Sequence, residues 1–211
     1  MVCGVIGILT VLLNLFSSLG DHPKKRWASY VPSVDSDDFL VAIAEIVNAP
    51  LERGDEVAIL NNGAEFLPAF LDALRSAKKT ITFTAYMWRA GKMSDQVLAV
   101  LAERAAAGVE VRVLLDGLGG MFITPEELRP LTDAGGVVAW FRPPRFGKLT
   151  RLHRRNHRRA IVIDGRIGFT GGMAIADHWL GDAKNPKEWR DVMFKVTGTM
   201  AHNLQGAFAQ L

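Results

Sequence analysis

The chain has 211 residues, 49% of them apolar, and a formal net charge of +3. That apolar content supports a packed core and excludes a disordered chain. The length allows about one domain plus an appendage. The single cysteine, Cys3, excludes an internal disulfide and a cysteine-based metal site.

Residues 1–20 carry no charged side chain and are rich in Val, Ile and Leu. That matches the roughly 20 residues a helix needs to cross a bilayer core. Lys24-Lys25-Arg26 follows at once, with Trp27 and Tyr30 as interfacial residues. A cleaved signal peptide would want a basic start, which is missing; a buried core helix is the plain alternative. The segment is therefore predicted to be a membrane anchor. Its basic flank would place the rest of the chain in the cytoplasm.

Residues 21–37 mix Asp, His, Pro, Ser and basic residues without a period and read as a linker. Phe39 to Ala49 is spaced for a short helix, and Glu56 to Asn61 for a strand. Phe66, Leu67, Phe70, Leu71 and Leu74 predict a helix over Glu65 to Lys78. Thr80 to Met87 is a strand. Ser94 to Ala107 is a helix, with Ser94 as its N-cap and Gly108 as its stop. Val109 to Leu115 is a strand, and Pro125 to Asp133 a helix capped by Thr124 with Pro125 at its first position. Val137 to Phe141 is another strand. This βαβαβ alternation predicts an α/β fold with a largely parallel sheet and helices on its faces. A basic loop covers Arg142 to Asn156. A hairpin follows, then a short helix near Ala174 to Leu180, a strand over Arg190 to Val196, and a helix over Thr199 to Gln210. The sequence shows no internal repeat, no G-x-G-x-x-G loop and no low-complexity segment.

Chemistry concentrates in the hairpin, Asn156-His157-Arg158-Arg159-Ala160-Ile161-Val162-Ile163-Asp164-Gly165, and in Gly171-Gly172 beyond it. Ala160 to Ile163 is short, apolar and partly β-branched, so it reads as a buried strand. Side chains alternate along a strand, so His157 and Arg159 share a face. Asp164-Gly165 is a turn signal, and the returning strand, Arg166 to Thr170, would bring Gly171-Gly172 back beside them. Histidine can attack phosphorus, arginine can grip two phosphate oxygens, and a carboxylate can fix an imidazole tautomer. Glycines let backbone amides approach a phosphate closely. The net charge is unevenly placed: Arg151, Arg154, Arg155, Arg158 and Arg159 fall within nine residues. That run suits an anionic partner, whether phospholipid headgroup, membrane surface or nucleic acid. Arg154 and Arg155 are candidates for steering substrate, although such a run is usually a solvated face. Tyr86 ends a core strand, where α/β sheets place ligands; packing is its plainer role. His153, His178 and His202 have no partner pattern and read as structural or surface residues.

The hairpin resembles the HxKxxxxD motif of the phospholipase D superfamily, with His157, Arg159, Asp164, Gly171 and Gly172 at the matching positions. Ile81 to Tyr86 and Val109 to Asp116 are similar to the family's first two core strands. Gly168 to Asp177 and Trp189-Arg190-Asp191 resemble bacterial cardiolipin synthase-type members. The resemblance covers residues 38–211. Arg159 stands where the family has lysine, which keeps the charge but changes its shape. Ala174 stands where many members carry asparagine, so one phosphate-binding amide is absent.

The resemblance implies a phospholipase D-like α-β-α sandwich half-domain with a mostly parallel mixed sheet over 38–211, preceded by the linker over 21–37 and the transmembrane anchor over 1–20 read from composition. It implies a phosphatidyltransferase with His157 as nucleophile, forming a phosphohistidine, Asp164 as orienting carboxylate, and Arg159, Gly171 and Gly172 binding phosphate. No metal or organic cofactor is implied. The implied partners are an anionic phospholipid such as phosphatidylglycerol and the bacterial plasma membrane, with nucleic acid the lesser candidate. The mechanism uses two motifs, one histidine attacking and the other protonating the leaving oxygen, and the chain carries one. His153-Arg154-Arg155 begins a second but lacks its aspartate. The second motif would therefore come from a homodimer or a second half-domain. A dimeric phospholipase D or nuclease-type phosphodiesterase, and a truncated non-catalytic half-enzyme, are the alternatives.

Overall fold

The computed structural model describes residues 32–48, 56–144 and 155–211. The predicted membrane anchor at residues 1–20 and the steering candidate Arg154 lie outside them. The chain divides into two units, Met1–Leu51 and Glu52–Leu211. Among the described residues, no helix is long and apolar enough to cross a membrane.

In the first unit, helix α1 (Asp37–Val47) starts where the Ser36 side chain accepts the Phe39 amide. Asp37 and Asp38 sit in its first turn, where carboxylates suit the positive end of the helix dipole. It ends at Asn48 in the left-handed conformation. None of its residues is buried, and Leu40, Val41, Ile43, Ile46 and Val47 are exposed.

In the second unit the elements are β1 (Val57–Asn61), α2 (Asn62–Arg75), β2 (Thr80–Ala85), α3 (Lys92–Ala106), β3 (Glu110–Asp116), α4 (Arg129–Asp133), β4 (Val137–Phe141), β5 (Ala160–Ile163), β6 (Ile167–Gly171), β7 (Val192–Thr197) and α5 (Thr199–Ala209). The strands form one mixed sheet in the order β1-β7-β6-β5-β2-β3-β4. The expectation of a mostly parallel sheet is corrected. Only β2–β3 and β3–β4 are parallel; the four other pairings are antiparallel. The reason is connectivity: helices link β1 to β2, β2 to β3 and β3 to β4, but only the last two pairs are sheet neighbours, whereas the tight turn between β5 and β6 forces antiparallel pairing.

Alternation assigns Ile81, Phe83, Val111, Val113, Leu115, Ile161, Ile163 and Phe169 to the face packed with α2 and α3. Phe70 of α2 is fully buried and stacks on Phe66 at 5.0 Å, with Phe169 edge-on at 5.2 Å. Truncating such a core aromatic costs about 3–5 kcal/mol. Helix α5 packs on the opposite face over β5 and β6, where Gly168 leaves room for Leu204 and Ala201. Beyond α5, no described helix of this unit covers that face. Val57 and Ile59 are exposed at one flank and Val137 at the other. A cleft of about 470 Å³ opens there among Leu114, Val137, Ala139, Phe208 and Leu211.

Two helix starts differ from expectation. Ser94 lies inside α3, buried, and accepts a hydrogen bond from Trp88 Nε1 at 2.8 Å. The α3 amides of Lys92 and Met93 are instead capped by the Asp177 carboxylate, from a 3₁₀ turn (Asp177–Trp179) far along the chain. That turn stands where a short helix near Ala174 to Leu180 is expected. Thr124 does exchange capping bonds with Glu127, but regular α-helix begins only at Arg129.

Candidate active site

The C-terminal ends of β2 and β3 and the start of β5 meet at one edge of the sheet. There Asp116, closing β3, is fully buried. Its Oδ1 accepts the amides of Leu118 and Gly119 at 2.9 and 3.1 Å, and its Oδ2 the amide of Asn156 at 2.8 Å. Asn156 is buried as well, and its Nδ2 donates to Thr84 Oγ1 at 2.8 Å. Two buried polar groups thus clamp the residue before His157 to β2 and β3. Sequence reasoning missed both as site residues. The signal available was a carboxylate at the carboxyl end of a core strand.

His157 emerges from this clamp exposed. Its ring lies 4.2 Å from the Tyr86 ring, so Tyr86 is a neighbour of the site rather than plain packing. Arg159 turns to the same side, as strand alternation predicts. Its Nη1 is 3.4 Å from His157 Nδ1 and 3.5 Å from the His157 carbonyl oxygen, both long contacts. Arg159 Nε is buried without a hydrogen-bond partner. Burial lowers the Arg159 pKa below its usual value, against the opposing pull of Asp191 and Tyr86. The guanidinium remains a cation in neutral water.

The hairpin returns as expected, with Thr170 Oγ1 donating to the Arg159 carbonyl at 2.8 Å. Gly171 and Gly172 do come back to this edge, but the structure gives them a different neighbour. Gly171 has φ +152°, and a Cβ there would lie 2.4 Å from the Val192 carbonyl oxygen. The Gly172 amide already donates to Val192 O at 3.1 Å, so it is not a free phosphate donor. A Cβ on Gly172 would lie 2.0 Å from Asp191 Oδ1. Asp191 is a second carboxylate that the motif reading missed. It accepts Trp179 Nε1 at 2.9 Å and the Val192 amide at 2.8 Å.

The orienting role expected of Asp164 is corrected. Strand β5 stands between it and His157, and its four extended residues alone span roughly 13 Å. Asp164 has φ +52°, and its carboxylate accepts the amides of Lys78, Lys79 and Thr80 at 2.8, 2.7 and 2.8 Å. Burial pushes its pKa up, but the Thr80, Lys78 and Lys79 amides and the Lys79 charge outweigh burial and hold it below the usual aspartate value. The steering role of Arg155 is corrected too: its Nη1 lies 3.5 Å from buried Asp116 and donates to the Arg142 carbonyl at 3.1 Å. Arg158 donates to the Ala207 carbonyl at 3.0 Å, near the end of α5. His178 is structural, its ring 4.2 Å from that of Trp189 and 4.5 Å from that of Trp179. Among the described residues, no group of His, Cys, Asp and Glu could hold a metal ion.

Residues 70–183 match the family model described as cardiolipin synthase, PLD-like domain. The chain belongs to this family. Cardiolipin synthase 1 of Bacillus anthracis is 35% identical to it over 154 residues, which is 72% of this chain and 30% of that protein. The cardiolipin synthase of Geobacillus sp. (strain WCH70) is 33% identical over 190 residues, 89% of this chain and 38% of that one. This phospholipase D-like domain thus spans about a third of the length of the curated relatives it matches. The fold is shared with Nuc of Salmonella typhimurium, a phospholipase D family member, at TM-score 0.56 and 15% identity, covering 74% of this chain and 93% of that one. It is also shared with phosphatidylserine synthase of Haemophilus influenzae, at TM-score 0.55 and 18% identity, covering 71% of this chain and 35% of that one.

Proposed function

We propose that this chain is the nucleophile-bearing half of a cardiolipin synthase-type phosphatidyltransferase. The observation that carries the reading is the pairing of an exposed His157 with the Arg159 guanidinium, 3.4 Å away and with its buried Nε unused. The names of the relatives supply the substrate class. In the first step a His157 ring nitrogen attacks the phosphorus of phosphatidylglycerol. The N–P bond forms, the P–O bond to the glycerol headgroup breaks, and the leaving oxygen takes a proton from a second histidine. In the second step a glycerol hydroxyl of another phosphatidylglycerol gives its proton to that histidine and attacks phosphorus. The N–P bond breaks and cardiolipin leaves. The second histidine comes from a second copy of the chain or from a second half-domain. Residues 1–20 anchor the domain in the bacterial plasma membrane, with the catalytic part on the cytoplasmic side.

Arg159 acts on both charge and tautomer. A guanidinium only donates, so its long contact with Nδ1 favours the tautomer that carries the ring proton on Nε2. A phosphate oxygen competes for the same donors and releases Nδ1. As charge builds on the equatorial oxygens, the guanidinium stabilises it. Asp191, pinned beside Gly172, is the carboxylate that offsets this cation.

The test is lipid mass spectrometry of the detergent-solubilised chain incubated with phosphatidylglycerol, with His157→Ala as control. Cardiolipin from the wild type alone supports the reading. Phosphatidic acid instead means water is the acceptor. No lipid product from folded protein overturns the reading in which a second copy of this chain supplies the second histidine. A dimeric nuclease-type phosphodiesterase, favoured by the arginine run over residues 151–159, is then tested on single-stranded DNA. No product there either leaves a non-catalytic half-enzyme.

A further inference from the structure

We propose that the loop Gly117–Ile123 is a bilayer-contact element that sets His157 at the depth of the lipid phosphate. The inference rests on the phospholipid reading of the His157 site and adds how a membrane substrate reaches it.

The loop presents apolar side chains outward from a rigid base. Leu118, Met121 and Phe122 are 36%, 61% and 48% exposed, while the next residue, Ile123, is buried. Its backbone is held down. The amides of Leu118 and Gly119 bond to the Asp116 carboxylate, and the Gly120 amide donates to the Asp116 carbonyl at 2.8 Å. Gly119 lies so close to β2 that a Cβ would sit 2.2 Å from the Tyr86 carbonyl oxygen. Phe122 forms a β-bridge with Arg89, whose guanidinium stands 4.2 Å over the phenyl ring. Held this way, the three side chains cannot turn inward to hide from water, so their exposure calls for an apolar partner.

The surroundings specify a bilayer. Exposed Arg89 flanks the apolar tip, and exposed Arg142 lies on the same strand-end edge. Apolar groups that enter the acyl boundary with arginines at phosphate level form the usual interfacial arrangement. The loop is also tied to the chemistry: the Asp116 carboxylate that holds Leu118 and Gly119 also holds Asn156, next to His157. Side chains that dip roughly 5–10 Å into the headgroup region would bring His157 level with the phosphodiester it attacks.

The experiment uses the full chain with Cys3→Ser, so that one introduced cysteine carries an environment-sensitive fluorophore. Met121→Cys reports the loop. Glu110→Cys, at the opposite end of β3, is the control. Proteoliposomes of phosphatidylglycerol and phosphatidylcholine contain lipids with a spin-labelled quencher on the acyl chain. The expected result is a blue-shifted probe at position 121, quenched by the labelled acyl chains, and an unquenched probe at 110. An unquenched probe at 121 overturns the proposal. So does a probe there that responds only to protein concentration, since the occupant is then a second copy. Quenching needs no turnover: the pattern in a chain without lipid product fails the reading in which a second copy supplies the second histidine and leaves the docking surface standing. If both hold, Met121→Ser with Phe122→Ser lowers turnover of bilayer phosphatidylglycerol by about tenfold or more. Turnover of a short-chain monomeric phosphodiester is then unchanged, and equal loss on both substrates overturns the loop's role in delivering bilayer lipid.

Discussion

Gly172 and Asp191 are in such close approach that a Cβ on Gly172 would lie 2.0 Å from the Asp191 Oδ1 atom. The carboxylate cannot retreat freely, because Trp179 Nε1 and the Val192 amide hold it. Gly172→Ala must therefore displace Asp191 or part β6 from β7. Overpacking of this kind costs about 1–3 kcal/mol, or several degrees in Tm for a chain of this size. Calorimetry against the wild type checks it, and an unchanged Tm would show that Asp191 is not fixed.

Asp116 holds three backbone amides and approaches the Arg155 guanidinium. Asp116→Ala leaves the three amides short of an acceptor and removes the carboxylate that faces Arg155. The expected loss is about 3–5 kcal/mol in urea denaturation. Asn156→Ala removes one buried hydrogen bond, to Thr84, for about 1–3 kcal/mol. Its larger effect is on catalysis, because His157 loses its clamp.

Asp164 gives a pH signature that separates structure from chemistry. Its folded-state pKa lies below the unfolded value of about 3.9. The stability it supplies is thus present above the unfolded pKa and lost as pH falls through the folded one. Wild-type stability should fall below about pH 4 more steeply than that of Asp164→Asn. At neutral pH the variant should be destabilised by about 1 kcal/mol, with the rate of the chemical step unchanged. A drop of several orders of magnitude in that rate would restore the orienting role.

Arg159 is the residue whose charge and shape can be tested apart. Arg159→Lys keeps the cation but gives up the planar fork and the buried Nε donor. Arg159→Ala should lose about 10²–10³ in kcat, with the lysine variant between it and wild type. Equal losses in both variants would mean that fork geometry, not charge, is what the phosphate needs.

Local pattern was enough for much of the molecule. Strand β5 is legible because Ala160 to Ile163 is apolar and bounded by a turn. His157 and Arg159 meet because alternation is a property of any strand. The helix of Phe66, Phe70 and Leu74 is legible for the same kind of reason, and the motif spacing carried the family. What the sequence could not decide is who stands opposite whom. Asp164 is seven residues from His157, yet β5 holds them at opposite ends, and its carboxylate serves the start of β2. Ser94 has the chemistry of a cap, but Asp177 caps α3. Asp116 and Asp191, the two carboxylates that shape the His157 edge, are distant from it in sequence, and no local spacing ties either of them to His157. Spacing along a chain fixes which side chains share a face. Which distant backbone amides and carboxylates face each other is set only when the sheet orders its strands.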